Sequence, residues 1–92
     1  MELERHALPG QELVAAGVLD LRRGNESLES LLVSIGEPRL RRLGIVLESP
    51  MADAEHRLYA RLRNEHGDAA HARYNALIRR LVSFERAAAQ HA

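Results

Sequence analysis

An apolar stripe near the C-terminus is the feature that most limits how this chain can fold. Ala70, Tyr74, Leu77, Leu81, Phe84 and Ala88 recur at alternating steps of four and three residues, which on a helix of about 3.6 residues per turn places them along one line. Ile78 and Val82 widen the stripe on one side. A helix of about twenty residues is a rod of roughly 30 Å, enough to cross a small domain. The spacing therefore predicts one long helix over residues 69–89, as the element against which the rest of the chain is laid.

The remaining segments read as shorter helices. Pro9 suits a first helical position, where its missing N–H would be unpaired anyway, and Gly24 suits the residue after a helix end. Between them Val14, Gly17, Val18 and Leu21 form an apolar side, although Gly17 is unfavourable by about 1 kcal/mol relative to alanine. Either another backbone comes close at Gly17 or this helix is loosely held. Asn25 or Ser27 can cap the next helix, in which Leu28, Leu31, Leu32 and Ile35 keep helical spacing up to the stop at Gly36. Glu37 and Pro38 then open a short helix carrying Leu40 and Leu43, with Gly44 as its stop and Ile45 placed for the apolar contact beyond it.

Ser49-Pro50 or Asp53 starts a fourth helix with Met51, Ala54, Leu58 and Leu62 on one face, Tyr59 at its edge, and Asp53–Arg57 and Arg61–Glu65 as i,i+4 ion pairs. Gly67 and Asp68 supply a stop and a new N-cap in adjacent positions, which predicts an antiparallel helical hairpin at the C-terminus. Residues 44–48 are the one candidate strand and have no mate, so they read as an apolar connector pressed on the bundle. The expectation is an all-α, single-domain bundle of four to five helices over residues 1–92, with 1–8 as a flexible N-terminal arm and 90–92 as a flexible tail.

Charge and cysteine usage exclude several classes. Thirteen basic residues, all arginine, balance thirteen acidic ones, which argues against a generic polyanion binder while leaving room for a local basic face. No cysteine is present, so disulfide and thiolate chemistry are out, and 46% apolar residues supply a core without a metal. Acids in Met1-Glu-Leu-Glu-Arg-His occupy the place of a signal peptide's positive charge. The longest apolar run, residues 13–19, falls far short of the roughly twenty residues of a membrane span. A cytoplasmic protein is expected, and the arginine and alanine bias suits GC-rich bacterial codons.

Chemistry-bearing motifs are sparse. No glycine-rich phosphate loop, nucleophile elbow or His-Glu-x-x-His occurs, so the reading is not an enzyme, with no cofactor and no metal. His66, Asp68 and His71 straddle one turn, but no further ligands or supporting shell can be named for them. A helix-turn-helix can be laid over residues 28–45, with Arg39, Arg41 and Arg42 as nucleic-acid phosphate contacts. The fit is poor: Leu32 sits where crossing helices want a small residue, and the reading helix is under two turns.

The long helix offers a second face. Ala69, Ala72, Ala76, Ser83 and Ala87 form a stripe of small residues bordered by Arg73 and Arg80. Arg73, Arg79, Arg80 and Arg86 have no acid three or four positions away, so their partners lie on other elements. Small side chains admit a second backbone and arginine is enriched at interfaces, although alanine is also simply a good helix former. Glu85 falls inside the apolar arc, which requires either a partner on another element, among Arg22, Arg23, Arg41 and Arg42, or a place at the wet end of the arc. The chain is thus expected to be a protein–protein interaction module, a homodimer or a partner for another chain, with a nucleic-acid-binding regulator as the alternative and no membrane association.

Overall fold

The computed structural model describes residues 8–90, and over that range the chain is all-α. Five α-helices follow one another among the described residues: α1 (Gln11–Arg22), α2 (Leu28–Ile35), α3 (Glu37–Arg42), α4 (Ala54–His66) and α5 (Ala70–Gln90). Apart from Leu8 and Gln90, the arm and tail expected to be flexible lie outside the described residues. No described helix is long and apolar enough to cross a membrane.

Pro9 is not the first helical residue as expected but lies two positions before it, in the turn that precedes Gln11. The Gln11 N–H bonds the Leu8 carbonyl at 3.0 Å and Gly10 has φ 75° and ψ 3°, so Leu8-Pro9-Gly10-Gln11 is a type II turn with proline and glycine at the positions that turn favours. Gly10 also needs its missing side chain. A Cβ there would stand 2.7 Å from the Arg80 carbonyl oxygen of α5. Helix α1 ends as expected, with the Gly24 N–H on the Leu21 carbonyl and the Asn25 N–H on the Asp20 carbonyl, the two bonds of a Schellman end.

Ser27, of the two candidates, caps α2. Its hydroxyl accepts the Ser30 N–H at 3.0 Å, while the Ser30 hydroxyl takes the Ser27 N–H at 2.7 Å. This is a capping box with serine in the place of the usual glutamate. Leu31, Leu32 and Val33 are all fully buried, and α2 packs against each of the other four helices. The centre of the fold is therefore this eight-residue helix and not the long one. Periodicity shows which side of a helix is apolar, whereas a helix surrounded by neighbours is apolar nearly all round, as Leu28, Leu31, Leu32, Val33 and Ile35 are. Helix α5 lies along one side and buries Ala70, Leu81, Phe84 and Glu85, leaving Leu77 only half-buried.

The connector after α3 keeps its expected role. Gly44 and Ile45 close α3 with a second Schellman pair, onto the carbonyls of Arg41 and Leu40. Leu47 is then buried, while Val46 between them points out and is 70% exposed. The Ser34 hydroxyl of α2 accepts the Met51 N–H at 2.9 Å and donates to the Ser30 carbonyl at 2.7 Å, tying the connector to the central helix. Asp53 begins α4 in a left-handed conformation without a side-chain cap, and the expected Asp53–Arg57 pair is not made. Arg57 instead donates to the Ala52 carbonyl and to Glu26, because a bond across elements is within reach of its long side chain. Arg61 does meet Glu65, at 3.9 Å, and shares Glu26 at 3.8 Å.

At Gly67 the chain reverses, bringing the ring of Tyr59 within 5.6 Å of Tyr74. Asp68 is the expected cap of the last helix. It sits instead inside a single 3₁₀ turn, Gly67–Ala69, that has no side-chain cap. Gly67 has φ 54° and ψ −121°, a region closed to residues with a Cβ, although the space around it is open. Gly67→Ala is accordingly expected to lower stability by about 1 to 3 kcal/mol through backbone strain alone. Urea unfolding measures it, and a gain in stability would mean that α4 runs into α5 without a break.

Candidate interaction surfaces

The interface and phosphate-contact residues singled out by the sequence fall on two different surfaces. On α5 the small-residue face is open: Ala69, Ala72 and Ser83 are exposed and Ala76 and Ala87 half-buried. Of its bordering arginines, Arg80 reaches Glu12 on α1, so its partner does lie on another element, and Arg73 stands in solvent. Each side chain on this face is small, so the apolar area it offers is modest.

Arg39, Arg41 and Arg42 do not form one row. Arg41 turns back to Glu37 within α3, whereas Arg39 donates from Nε to Glu85 Oε1 at 2.7 Å. Arg42 is exposed. The Glu85 partner is therefore none of the four arginines expected; Arg22, for one, pairs with Glu48 at 3.2 Å. Spacing along α5 says that Glu85 needs a cation, but only the approach of α3 to α5 in three dimensions decides which arginine is near enough.

Glu85 is the unusual group. Its side chain is only 8% exposed, and its second oxygen, Oε2, is buried without a hydrogen-bond partner among the described residues. Gly36 makes room for it, since a Cβ on Gly36 would lie 2.9 Å from Oε2 and 3.0 Å from a Leu81 methyl. Arg39, Arg42, Glu85 and Arg86 border one open groove of about 510 Å³ between α3 and α5, with Leu43 and Val82 as its apolar wall.

A second groove, of about 340 Å³, runs between α1 and the connector and is almost wholly apolar. Val14, Ala15, Val18, Ile45 and Phe84 line it beside Leu19, which is 41% exposed. With Val46, Leu19 is one of the two large apolar side chains the described fold leaves in water. Neither was singled out from sequence. The available signal was the apolar run over residues 13–19, which on a helix must reach beyond the face that the core covers.

A third concavity, of about 640 Å³, lies where α2, the connector and α5 meet, between Ser34, Met51, Tyr74 and Ile78. Burial first, and then the negative charge of Glu55, hold the Tyr74 phenol above its ordinary value of 10.0. The cleft sets no nucleophile beside a base among its lining residues. His71 leans its ring edge toward Tyr59 at 6.4 Å and meets Asn75 at 3.2 Å, and the described residues gather no group of three metal-ligating side chains. Comparison with protein-family models, with curated proteins and with solved structures finds no match to this chain.

Proposed function

We propose that the protein is a non-catalytic helical interaction module that pairs with a second copy of itself through the groove between α1 and the connector. The observation that carries this reading is Leu19, a large apolar side chain left 41% exposed at the edge of an almost wholly apolar groove. A ridge next to a hole of the same chemistry is what a two-fold pairing needs, because each copy then fills the other. The exposed Arg22–Glu48 pair adds one charge of each sign at the edge, and these can exchange partners across the same axis.

The small-residue face of α5, with Ala76 at its centre, is the competing surface for such a contact, since it stays open along the helix. The nucleic-acid reading has less support: Arg41 turns back to Glu37 within its own helix, so the three arginines do not form one row, and the chain has no net positive charge to draw a long polyanion.

Light scattering across a concentration series tests the proposal. Leu19→Asp should leave helicity intact and weaken self-association by tenfold or more, about the penalty for burying one unpaired charge. Ala76→Glu should leave association unchanged. The opposite pattern would move the interface to α5, and a wild-type protein that stays monomeric at high concentration would end the homodimer idea.

A further inference from the structure

Beyond self-association, we propose that the groove between α3 and α5 binds an acidic peptide segment of a partner protein, one whose carboxylates flank an apolar side chain. The local charge is the first reason. Arg39, Arg42 and Arg86 stand around a single carboxylate, Glu85, in a chain whose formal charges sum to zero. That carboxylate is committed to Arg39 Nε, and the terminal nitrogens of Arg39 make no bond to a described residue. Arg42 and Arg86 are exposed and form no ion pair with a described acid. Arginine forks of this kind match carboxylates two bonds at a time.

Glu85 itself is the second reason. A carboxylate buried to this degree, with Oε2 unpaired, is a poor choice for a residue that only fills a core, where leucine would be more stable. Its position is accounted for as an arm that fixes the Arg39 guanidinium at the groove's edge, so that the side chain loses less freedom when a ligand arrives. Gly36 keeps that arm in place by leaving space for it. The third reason is the wall of Leu43 and Val82, which gives an apolar side chain somewhere to go between the charges.

The same features disfavour a nucleic acid. No aromatic side chain lines the groove for a base to stack on, and its apolar wall of Leu43 and Val82 has nothing to receive from a sugar–phosphate backbone. A small metabolite fits no better, because the groove is an open trough and not an enclosed cavity that could bury most of a small ligand.

Fluorescence anisotropy with a labelled Asp-Leu-Asp-Asp-Leu-Asp peptide provides the test, run beside its Asn-for-Asp counterpart and a single-stranded thymidine oligomer of similar charge. Wild-type protein should bind the acidic peptide saturably at low ionic strength and not the uncharged one. The double variant Arg42→Ala/Arg86→Ala should bind about tenfold or more weakly, each lost charged hydrogen bond being a factor of that order. Arg73→Ala, on the other side of α5, should change nothing, and Glu85→Gln should weaken binding by a smaller factor while far-UV circular dichroism stays at the wild-type level. Leu19→Asp should bind the peptide normally, which separates this site from self-association. Three results would overturn the proposal: no saturable binding by the wild type, equal binding by the double variant, or a thymidine oligomer bound as tightly as the peptide and lost in the same variant.

Discussion

Truncating Leu32 to alanine is expected to lower the free energy of unfolding by about 2 to 5 kcal/mol, the combined loss of apolar transfer and the cavity left behind. The upper part of that range applies because Leu32 is fully buried on a helix that packs against all four others. A cavity there has walls from different elements, which cannot all move inward together. Total stability for a chain of this length is roughly 5 to 14 kcal/mol, so the change is a large share of it. Leu77→Ala, at a half-buried place on the long helix, should show a distinctly smaller loss. Urea midpoints with unchanged slopes would compare the two. Equal losses, or a larger one at Leu77, would return the long helix to the centre of the fold.

Local punctuation was readable in advance. Ser27, Gly24, Gly36, Gly44 and Ile45 all perform the end-of-helix roles that their chemistry suggests, because caps are decided within four or five residues. Pro9 and Asp68 misled for a related reason: each is compatible with two adjacent local structures, and Gly10 against Arg80 settles the first by a contact seventy positions away. The all-α class followed from spacing, while the ranking of helices did not. An eight-residue helix displays too few turns for its pattern to outweigh a stripe of twenty residues, even when every side of it is covered.

The candidate surfaces were less legible than the fold. Sequence groups Arg39 and Arg42 with Arg41 as candidate phosphate contacts, and singles out Arg86 for lacking a helical partner and Glu85 for its place in the apolar arc; only the approach of α3 to α5 brings Arg39, Arg42, Glu85 and Arg86 to one groove. The apolar run over residues 13–19 shows only that some apolar residue must reach beyond the core face; that Leu19 is left in water, and Val46 as well, is decided by the neighbours that fail to cover them. The small face of α5 remains open, so its alanines are explained equally by helix propensity and by a partner, and Ala76→Glu separates the two.

Gly17→Ala is expected to destabilise the protein by about 1 to 3 kcal/mol, although alanine is the better helix former. Two effects of opposite sign meet at this position. Relief of glycine's backbone entropy would favour alanine by about 1 kcal/mol in an exposed helix. Against it, a Cβ on Gly17 would stand 2.5 Å from the Glu29 carbonyl oxygen and 2.7 and 2.9 Å from the two Val33 methyls. The nearest of these atoms is backbone of the central helix, which cannot rotate aside as a side chain would. Relief therefore requires α1 to move away from α2, opening the contacts of Val14 and Leu21 as it goes. Gly17→Val should be worse, since a branched Cβ adds two more atoms to the same gap. The shift has a functional reading as well: α1 forms one wall of the groove beside Leu19, so Gly17→Ala should weaken self-association without altering any residue of that surface. Thermal unfolding and light scattering on the same variant measure both effects. A more stable Gly17→Ala protein would show that α1 stands off from α2, and the groove described between α1 and the connector would then need to be redrawn.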